Sequence, residues 1–592
     1  MPNPLISDAF VDFLLDDVHH AASLTALPAF ADHDPDTFRL FVDGARRFAR
    51  QELFPTYRPM DLAPPTFDGV RVHTHPSLPH LYRGLVDLGL IAATRPVDRD
   101  GGGLPQLVAA LGSAYLMAGN LSAYGYAGLT AGAAHLIEAF GTPDLDRLYR
   151  KPMLEGRFTG TMALTEPQAG SSLADVTTRA TPREDGAFTI VGAKIFISGG
   201  DQSVTENVVH LLLARIDGAP AGTRGISLFV VPRLRPDGER WTDNDVAVSG
   251  VIHKIGWKGL PSVALSLGER GDCRGWLIGA PHQGLKCMFQ MMNEARLMVG
   301  LNGAATASVA FHESLSYAAT RPQGRTRSDG PQVPIIEHAD VRRMLLRQKA
   351  IVEGALALLA ETARLSDLSE HAVDPGERER ARLVLDVLTP IAKSFPAEWG
   401  FESNALAVQV LGGYGYTSEY LPEAFLRDQK LNAIHEGTTG IQGLDLLGRK
   451  VVQKGGAGLI ALASAMQDSA RAARDAGLDE EDVAAFESAL SRVGALTATL
   501  GARGAAGDVA GMLGHSADYL ALMSILAVSW QWLKLRTASK DARGRRADPF
   551  LNGLEAAGRY WSRTELPRIE HLAALCTSNE RSYQDVLPEE LG

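Results

Sequence analysis

The hydrophobic period of this chain changes near Thr159 and changes back near Gly284. Before the first switch, apolar residues recur at spacings of three and four, as in Asp36 to Phe48 and the alanine-rich run from Leu107 to Ile137. That recurrence predicts helices. Between the switches lie short β-branched runs bounded by Gly, Asp and Pro: Phe188 to Ser198, Val208 to Arg215, Gly225 to Pro232 and a weaker Val263 to Gly268. These predict strands. Helical patterns then return over Gly300 to Thr320, His338 to Leu365 and Arg378 to Leu411. Beyond Lys454 an alanine-rich helical region runs to the end, with glycines at 455, 456 and 458 as its linker. Pro55 to Pro79 and Pro322 to Pro334 read as loops. With 592 residues, about 150 per domain implies three or four domains. The expected division is 1–158 helical, 159–281 β, 282–454 helical bundle and 455–592 helical extension.

Composition narrows the class. Apolar residues make up 45% and charged residues 21%, the balance of a globular chain with ample core. A net charge of -11 argues against a nucleic-acid surface, which needs excess Lys and Arg. The three cysteines, Cys273, Cys287 and Cys576, form neither a disulfide framework nor a zinc spacing, which fits a reducing cytoplasm. The first ten residues lack the basic start and apolar run of a signal peptide. Tyr519 to Trp530 is apolar but too short to span a bilayer, so it predicts a buried helix and no membrane span.

Three motifs carry candidate chemistry. In Leu431-Asn-Ala-Ile-His-Glu-Gly-Thr-Thr-Gly-Ile-Gln442, Glu436 sits among small and apolar residues, and Thr438 or Thr439 can cap a following helix. The helix N-terminus favours an ionised carboxylate and burial opposes it; that tension suits a proton acceptor. A Glu that only caps the helix is the plainer alternative. In Ala407-Val-Gln-Val-Leu-Gly-Gly-Tyr-Gly-Tyr416 the glycines permit close backbone approach to a ligand or a tight helix end, and the spacing is not a dinucleotide fingerprint. In Met162-Ala-Leu-Thr-Glu-Pro-Gln-Ala-Gly-Ser-Ser172, small residues before Leu173-Ala-Asp175 predict free N–H groups at a helix start, or a junction turn. His73, His75 and His80 fall in a Pro-rich loop and predict no metal site.

Together and in this order the motifs resemble the acyl-CoA dehydrogenase family. Thr165 to Ser171 resembles its TEPxAGS signature, Gly192 to Gly200 its GxKxWITNG strand, Gln409 to Tyr416 its QxxGGxGY motif and Ile434 to Thr438 its IxEGT motif. The stretch from Gly300 through Arg325, with the extension after 455, is similar to the long bacterial subgroup. The resemblance implies a mainly α fold: a helical N-domain, a central β-barrel-like domain, a four-helix-bundle C-domain and an extra C-terminal helical domain. It implies FAD, an acyl-CoA substrate, an electron-transferring flavoprotein as acceptor, a homodimer or dimer of dimers, and a place in fatty acid β-oxidation.

Residue by residue, the resemblance makes Glu436 the base that removes the α-proton. It makes Leu164, Thr165, Ser171, Phe196, Ile197, Ser198, Arg321, Gln409, Gly412, Gly413 and Thr438 FAD contacts, Arg321, Gln409, Gly412 and Gly413 gripping the flavin of a neighbouring subunit. Ser171, Asn293, Arg296 and Gly437 match substrate-side positions. The sequence departs from the family where Phe196 replaces Trp, Gly440 replaces Gln, and Pro322-Gln-Gly with an insertion replaces Lys-Thr-Phe-Gly; Trp257 and Leu260 also differ from the subgroup. The implied reaction is α,β-dehydrogenation of an acyl-CoA thioester to trans-2-enoyl-CoA. Two alternatives are an acyl-CoA oxidase using O2 and a non-dehydrogenating, DNA-associated flavoprotein of the same fold.

Overall fold

The structure, a computed structural model, describes residues 3–578 and 580–592, apart from the side chains of 289–293. The chain divides into two compact units. One comprises Thr37–Leu104 and Gly112–Ala295; the other comprises Met1–Asp36, Pro105–Leu111 and Arg296–Gly592.

The first unit is built on an eight-stranded sheet ordered Val246–Val251, Ser262–Leu267, Phe188–Ser198, Arg274–Ile278, Ile226–Pro232, Asn207–Ile216 and Phe158–Ala163. Arg179–Pro182 pairs with both Phe188–Ser198 and Asn207–Ile216. That double pairing closes part of the sheet on itself, which removes free edges. Asn207–Ile216 shows why its sequence is apolar without alternation. Val209, Leu211 and Leu213 pack into one core with Ala133, Ile137, Tyr149 and Phe158. Leu212 and Ala214, from the other side of the strand, pack with Ile190, Ile197, Phe229 and Val263. A strand covered on both faces needs apolar residues at odd and even positions alike. Its one polar ring, His210, is fully buried, and burial brings its pKa to about 3. It stays neutral and shares a 2.7 Å hydrogen bond with the Thr161 hydroxyl.

The predicted loop from Pro55 to Pro79 is a correction. Phe54–Leu62 is helical and continues Pro35–Phe48 through a wide π-turn over Ala49–Leu53, directly after which Pro55 falls. A short pairing of Thr66–Phe67 with Val72–His73 follows, and helix Leu78–Asp87 begins before Pro79.

The second unit is helical. Its long members include Ala339–His371 and Pro375–Leu411, then Ala457–Asp475, Glu480–Ala505, Ser516–Asp541 and Asp548–Thr564. Tyr519 to Trp530 lies buried inside Ser516–Asp541, as its composition predicts, with only Ala521 part-exposed. Pro390 and Pro396 sit inside Pro375–Leu411 without ending it. Pro396 has no N–H to offer the Ala392 carbonyl. Gly300 lies against that carbonyl so closely that a Cβ there would come within 2.2 Å of it. The glycines after 454 are a tight corner rather than a loose linker. Lys454, Gly455 and Gly456 take positive φ, and Gly458 already packs inside Ala457–Asp475, 2.9 Å from Val387 at its Cβ position. Among the described residues one helix, Gln106–Phe140, is long and apolar enough to cross a membrane, but its apolar window is wholly buried within the protein.

Candidate functional site

The Glu436 segment forms a short left-handed corner. Helix Pro422–Lys430 ends in a single turn over Leu431–Ala433, and Thr438 then caps Thr439–Asp445 by accepting a hydrogen bond from the Ile441 N–H at 3.3 Å. Between them Glu436 has φ +53° and Gly437 φ +84°. A Glu in that region is strained by about 1 kcal/mol or more and needs outside support.

The support comes from two side chains. Lys393 Nζ donates to the Gly437 carbonyl at 2.8 Å. Gln442 Nε2 donates to the Glu436 carbonyl at 3.0 Å and to that of Gly437 at 3.4 Å. Lys393 and Gln442 are both fully buried. Burial lowers the Lys393 ammonium to about 8, against the opposing pull of Glu398 and Glu436. Glu398 in turn accepts a hydrogen bond from the Thr439 hydroxyl.

Glu436 keeps some accessible surface as a residue, yet its carboxyl group lies among protein atoms. Desolvation raises its pKa above the usual carboxylate range, while Lys393 and Arg296 restrain the rise. Of the two measures, the desolvation of the carboxyl itself governs its proton, because the charge resides there. Arg296 is buried and donates to Asp445 Oδ2 at 2.7 Å, so the structure gives it a carboxylate partner and a charge felt at Glu436. Asn293 lies outside the described residues.

A second cluster gathers Leu164, Thr165, Phe196, Ile197 and Ser198 in the β unit. Its organiser is Glu166, buried and six times an acceptor. Oε1 takes bonds from Lys194 Nζ at 2.8 Å, the Thr178 hydroxyl at 2.5 Å and the Thr178 N–H at 3.0 Å. Oε2 takes bonds from the Thr177 N–H at 2.7 Å, the Thr177 hydroxyl at 2.8 Å and Gln168 Nε2 at 2.8 Å. Lys194 also donates to the Leu164 carbonyl at 3.1 Å, and the Ile195 N–H to that of Thr165 at 3.0 Å. The TEPxAGS loop and the GxKxF strand are therefore one hydrogen-bonded unit. At its open end Phe196 adopts φ +61° and is 60% exposed. Ser198 pairs with Ser262 at the head of the neighbouring strand. The predicted helix start after Ser172 is a correction: Leu173–Asp175 is one 3-10 turn with no side-chain cap, and the Ser172 hydroxyl bonds Asp175 instead, at 2.6 Å. Ser171 is exposed beside it.

Gln409, Gly412 and Gly413 form a third, exposed cluster at the end of Pro375–Leu411. Gly412 has φ +60°, and a Cβ on Gly412 or Gly413 would meet nothing within 4 Å. Arg321 lies 5.5 Å over the Tyr414 ring, which also packs at 5.4 Å from Tyr420. Tyr416 is 92% exposed. The Pro322 to Pro334 loop is held by a bridge between its two prolines, with the Gln323 N–H donating to Val333 at 2.9 Å.

Other candidates resolve simply. Trp257 and Leu260 are buried, and Lys254 Nζ donates to both their carbonyls, at 2.7 and 2.6 Å. His73 pairs with Asp68 and His80 with Glu52 at the surface. Among the described residues no cluster of His, Cys, Asp or Glu could hold a metal. All three cysteines are free and buried.

Sequence reasoning missed Lys393, Glu166 and Gln442. Lys393 left one signal: it is the only charge between Asp386 and Glu398 in a stretch otherwise apolar or small.

Comparison with known proteins shows the family. Family models match at residues 161–268 (acyl-CoA dehydrogenase, middle domain), 282–451 (acyl-CoA dehydrogenase, C-terminal domain) and 459–586 (acetyl-CoA dehydrogenase C-terminal like). The chain belongs to the acyl-CoA dehydrogenase family of oxidoreductases. It is 37% identical to 3-methylmercaptopropionyl-CoA dehydrogenase of Ruegeria pomeroyi over 75% of this chain and 76% of that one. It is 34% identical to a broad-specificity linear acyl-CoA dehydrogenase of Mycobacterium tuberculosis, over 80% and 79%. The fold matches a Bacillus anthracis acyl-CoA dehydrogenase solved with FAD, with a TM-score of 0.74, 19% identity and coverage of 98% and 93%.

Proposed function

We propose that this protein dehydrogenates an acyl-CoA thioester to trans-2-enoyl-CoA, with Glu436 removing the α-proton. One observation carries the reading: a carboxyl raised above its ordinary pKa by burial, held on a left-handed corner beside Lys393 and Arg296. A base of raised pKa is a stronger proton acceptor, and Lys393 and Arg296 both favour its ionised form. An α-proton is a weak acid, so removing it also requires donors at the thioester carbonyl as negative charge develops there. The Glu436 backbone N–H is the protein's donor in this reading, and the Gly437 backbone lines the same position.

FAD fits the residues present. In this reading the exposed Phe196 ring lines the flavin together with Leu164, Thr165, Ile197 and Ser198 of the same hydrogen-bonded unit. In the β unit Ser171 adds a hydroxyl; Thr438, in the helical unit, is an FAD contact by resemblance. Gln409, Gly412, Gly413 and Arg321 make an open, cationic backbone surface suited to a diphosphate, which in this reading belongs to the FAD of a second subunit. When bound, FAD supplies the acceptor for the β-hydride. The reading would make an electron-transferring flavoprotein the partner, and the protein a cytoplasmic homodimer or dimer of dimers serving fatty acid β-oxidation.

The test is Glu436→Gln in the FAD-loaded protein. The expected result is unchanged flavin absorbance and a loss of turnover of about 10²–10⁴-fold, with no bleaching by acyl-CoA. Wild-type turnover in that variant would remove Glu436 from the role. Hydrogen peroxide formed without another acceptor would make the enzyme an oxidase.

A further inference from the structure

The corner at Glu436 has to be held, and the side chain that holds it is buried, cationic and on another helix. Lys393 belongs to Pro375–Leu411 and donates to the carbonyl of the residue that follows Glu436. Resting on the reading of Glu436 as the base, we propose that Lys393 is a positioning residue of the reaction. Its ammonium clamps the Gly437 carbonyl and so keeps Glu436 in the left-handed conformation that places its carboxyl.

Several features favour this over a packing role. A fully buried ammonium costs free energy that an apolar residue of the same length would not. Its hydrogen bond goes to the backbone of the corner. Gln442 donates to the Glu436 carbonyl at 3.0 Å and to the Gly437 carbonyl at 3.4 Å, so the Gly437 carbonyl is gripped twice. The second grip comes from Thr439–Asp445, the helix that Thr438 caps. Both φ values are positive in sequence at Glu436 and Gly437. A Glu released from the clamp would relax toward the ordinary helical or extended regions and carry its carboxyl away. Displacement of a reacting group by about 1 Å costs about 10²-fold in rate.

The charge acts as well. The groups facing Glu436 are Lys393 from Pro375–Leu411 and Arg296 from Gly284–Thr320, and both favour its ionised form. Glu398 faces Lys393, and Asp445 shares Arg296. Removing the Lys393 charge leaves Arg296, half-engaged by Asp445, as the remaining cation. The acid limb of the rate profile, set by Glu436 deprotonation, then moves to higher pH.

The experiment compares Lys393→Met and Lys393→Arg with wild type in the full-length, FAD-loaded protein. Flavin absorbance and melting temperature report folding. Hydrogen exchange of peptides covering 431–445 reports the corner, and the pH profile of kcat and kcat/KM reports the base. For Lys393→Met the expected result is retained flavin, faster exchange confined to 431–445, kcat lower by about 10–10²-fold with KM little changed, and an acid limb at higher pH. Lys393→Arg keeps the charge and donors and recovers the acid limb. If Lys393→Met does not fold, Lys393→Gln takes its place with the same criteria. Wild-type kcat, exchange and acid limb in the folded variant would overturn the proposal, as would an Arg variant whose acid limb matches that of Met. Failure of the Glu436 reading is separate: it shows as turnover by Glu436→Gln, whatever Lys393 does.

Discussion

Glu166 and Lys194 are each buried, and each would be costly alone. Burial would raise the Glu166 pKa, but the Lys194 ammonium and the donated hydrogen bonds outweigh it and hold the carboxyl at about 2. For Lys194 burial wins over Glu166, bringing it down to about 8. The two shifts weigh the pair differently, and the geometry decides between them: with six donors on one carboxylate, both groups are charged at pH 7. Lys194→Met leaves that carboxylate without its counter-charge, and the expected cost is about 3–5 kcal/mol. A drop in the urea midpoint checks it, and an unchanged midpoint would refute it. The pH sign follows from the carboxyl. Its folded pKa is depressed, so its contribution is complete above about 4.5 and is lost as pH falls toward 2. In Lys194→Met the folded carboxyl is less depressed, so that acid-dependent loss should be smaller. This pair also shows what was readable at the site. Motif residues such as Thr165 and Phe196 stand out in the sequence because they recur as strings. The bonds that hold them, Lys194 to Glu166 and Lys393 to the Gly437 carbonyl, span 28 and 44 positions. No local pattern records a bond between residues so far apart.

At the scale of elements, helix Gln106–Phe140 begins with exposed-type donors that need acceptors. Asp367, from Ala339–His371, provides them: its carboxylate accepts from the N–H of Gln106 at 2.7 Å and of Leu107 at 3.1 Å. Burial nevertheless raises its pKa to about 7. The folded chain therefore holds a proton that the unfolded chain releases above about 3.8. Its contribution is greatest below that pH and declines as pH rises toward 7. Asp367→Asn keeps an acceptor oxygen without the buried charge. Its urea midpoint should be flat across pH 4–7, where wild type declines, and no lower than wild type at pH 7.5. Asp367→Ala should lose about 1–2 kcal/mol at any pH, as for a lost cap. A wild-type slope in the Asn variant would contradict the argument. The same elements show where sequence reading succeeds. The strands and long helices were legible because period and length agree over many residues, as in Phe188–Ser198 and Pro375–Leu411. Phe54–Leu62 was not, because Pro55 and Pro59 signal a break, while the π-turn at Ala49–Leu53 that precedes them leaves no period to read.

At the scale of the whole molecule, the helical unit joins the two ends of the chain. Arg546 donates to Asp16 and Asp17, each at 2.8 Å, and Arg545 lies 2.9 Å from Asp17. Phe13 meets Phe550 edge to face at 5.6 Å. Further in, His19 lies 3.4 Å from Glu361, which also accepts from Lys534 at 2.7 Å and Arg364 at 3.0 Å. Burial, then Lys534, keeps His19 well below its ordinary pKa and so neutral. The residues expected to form a separate extension thus share one packed unit with the first thirty or so residues. Asp17 is buried, so its charge depends on both arginines. Arg546→Ala removes the one that also holds Asp16 and the Asp12 carbonyl. The expected loss is about 1–3 kcal/mol, the cost of an under-satisfied buried charge with one partner left. Its location is the sharper test. Hydrogen exchange should rise together in 8–18 and 543–551, two stretches more than 500 residues apart, while Phe188–Ser198 in the other unit keeps its protection. A rise in only one of the two stretches would mean that they are not coupled through this ion pair. A rise in the strand as well would mean that the unfolding is global, and the two ends of the chain would then be no local fastening at all.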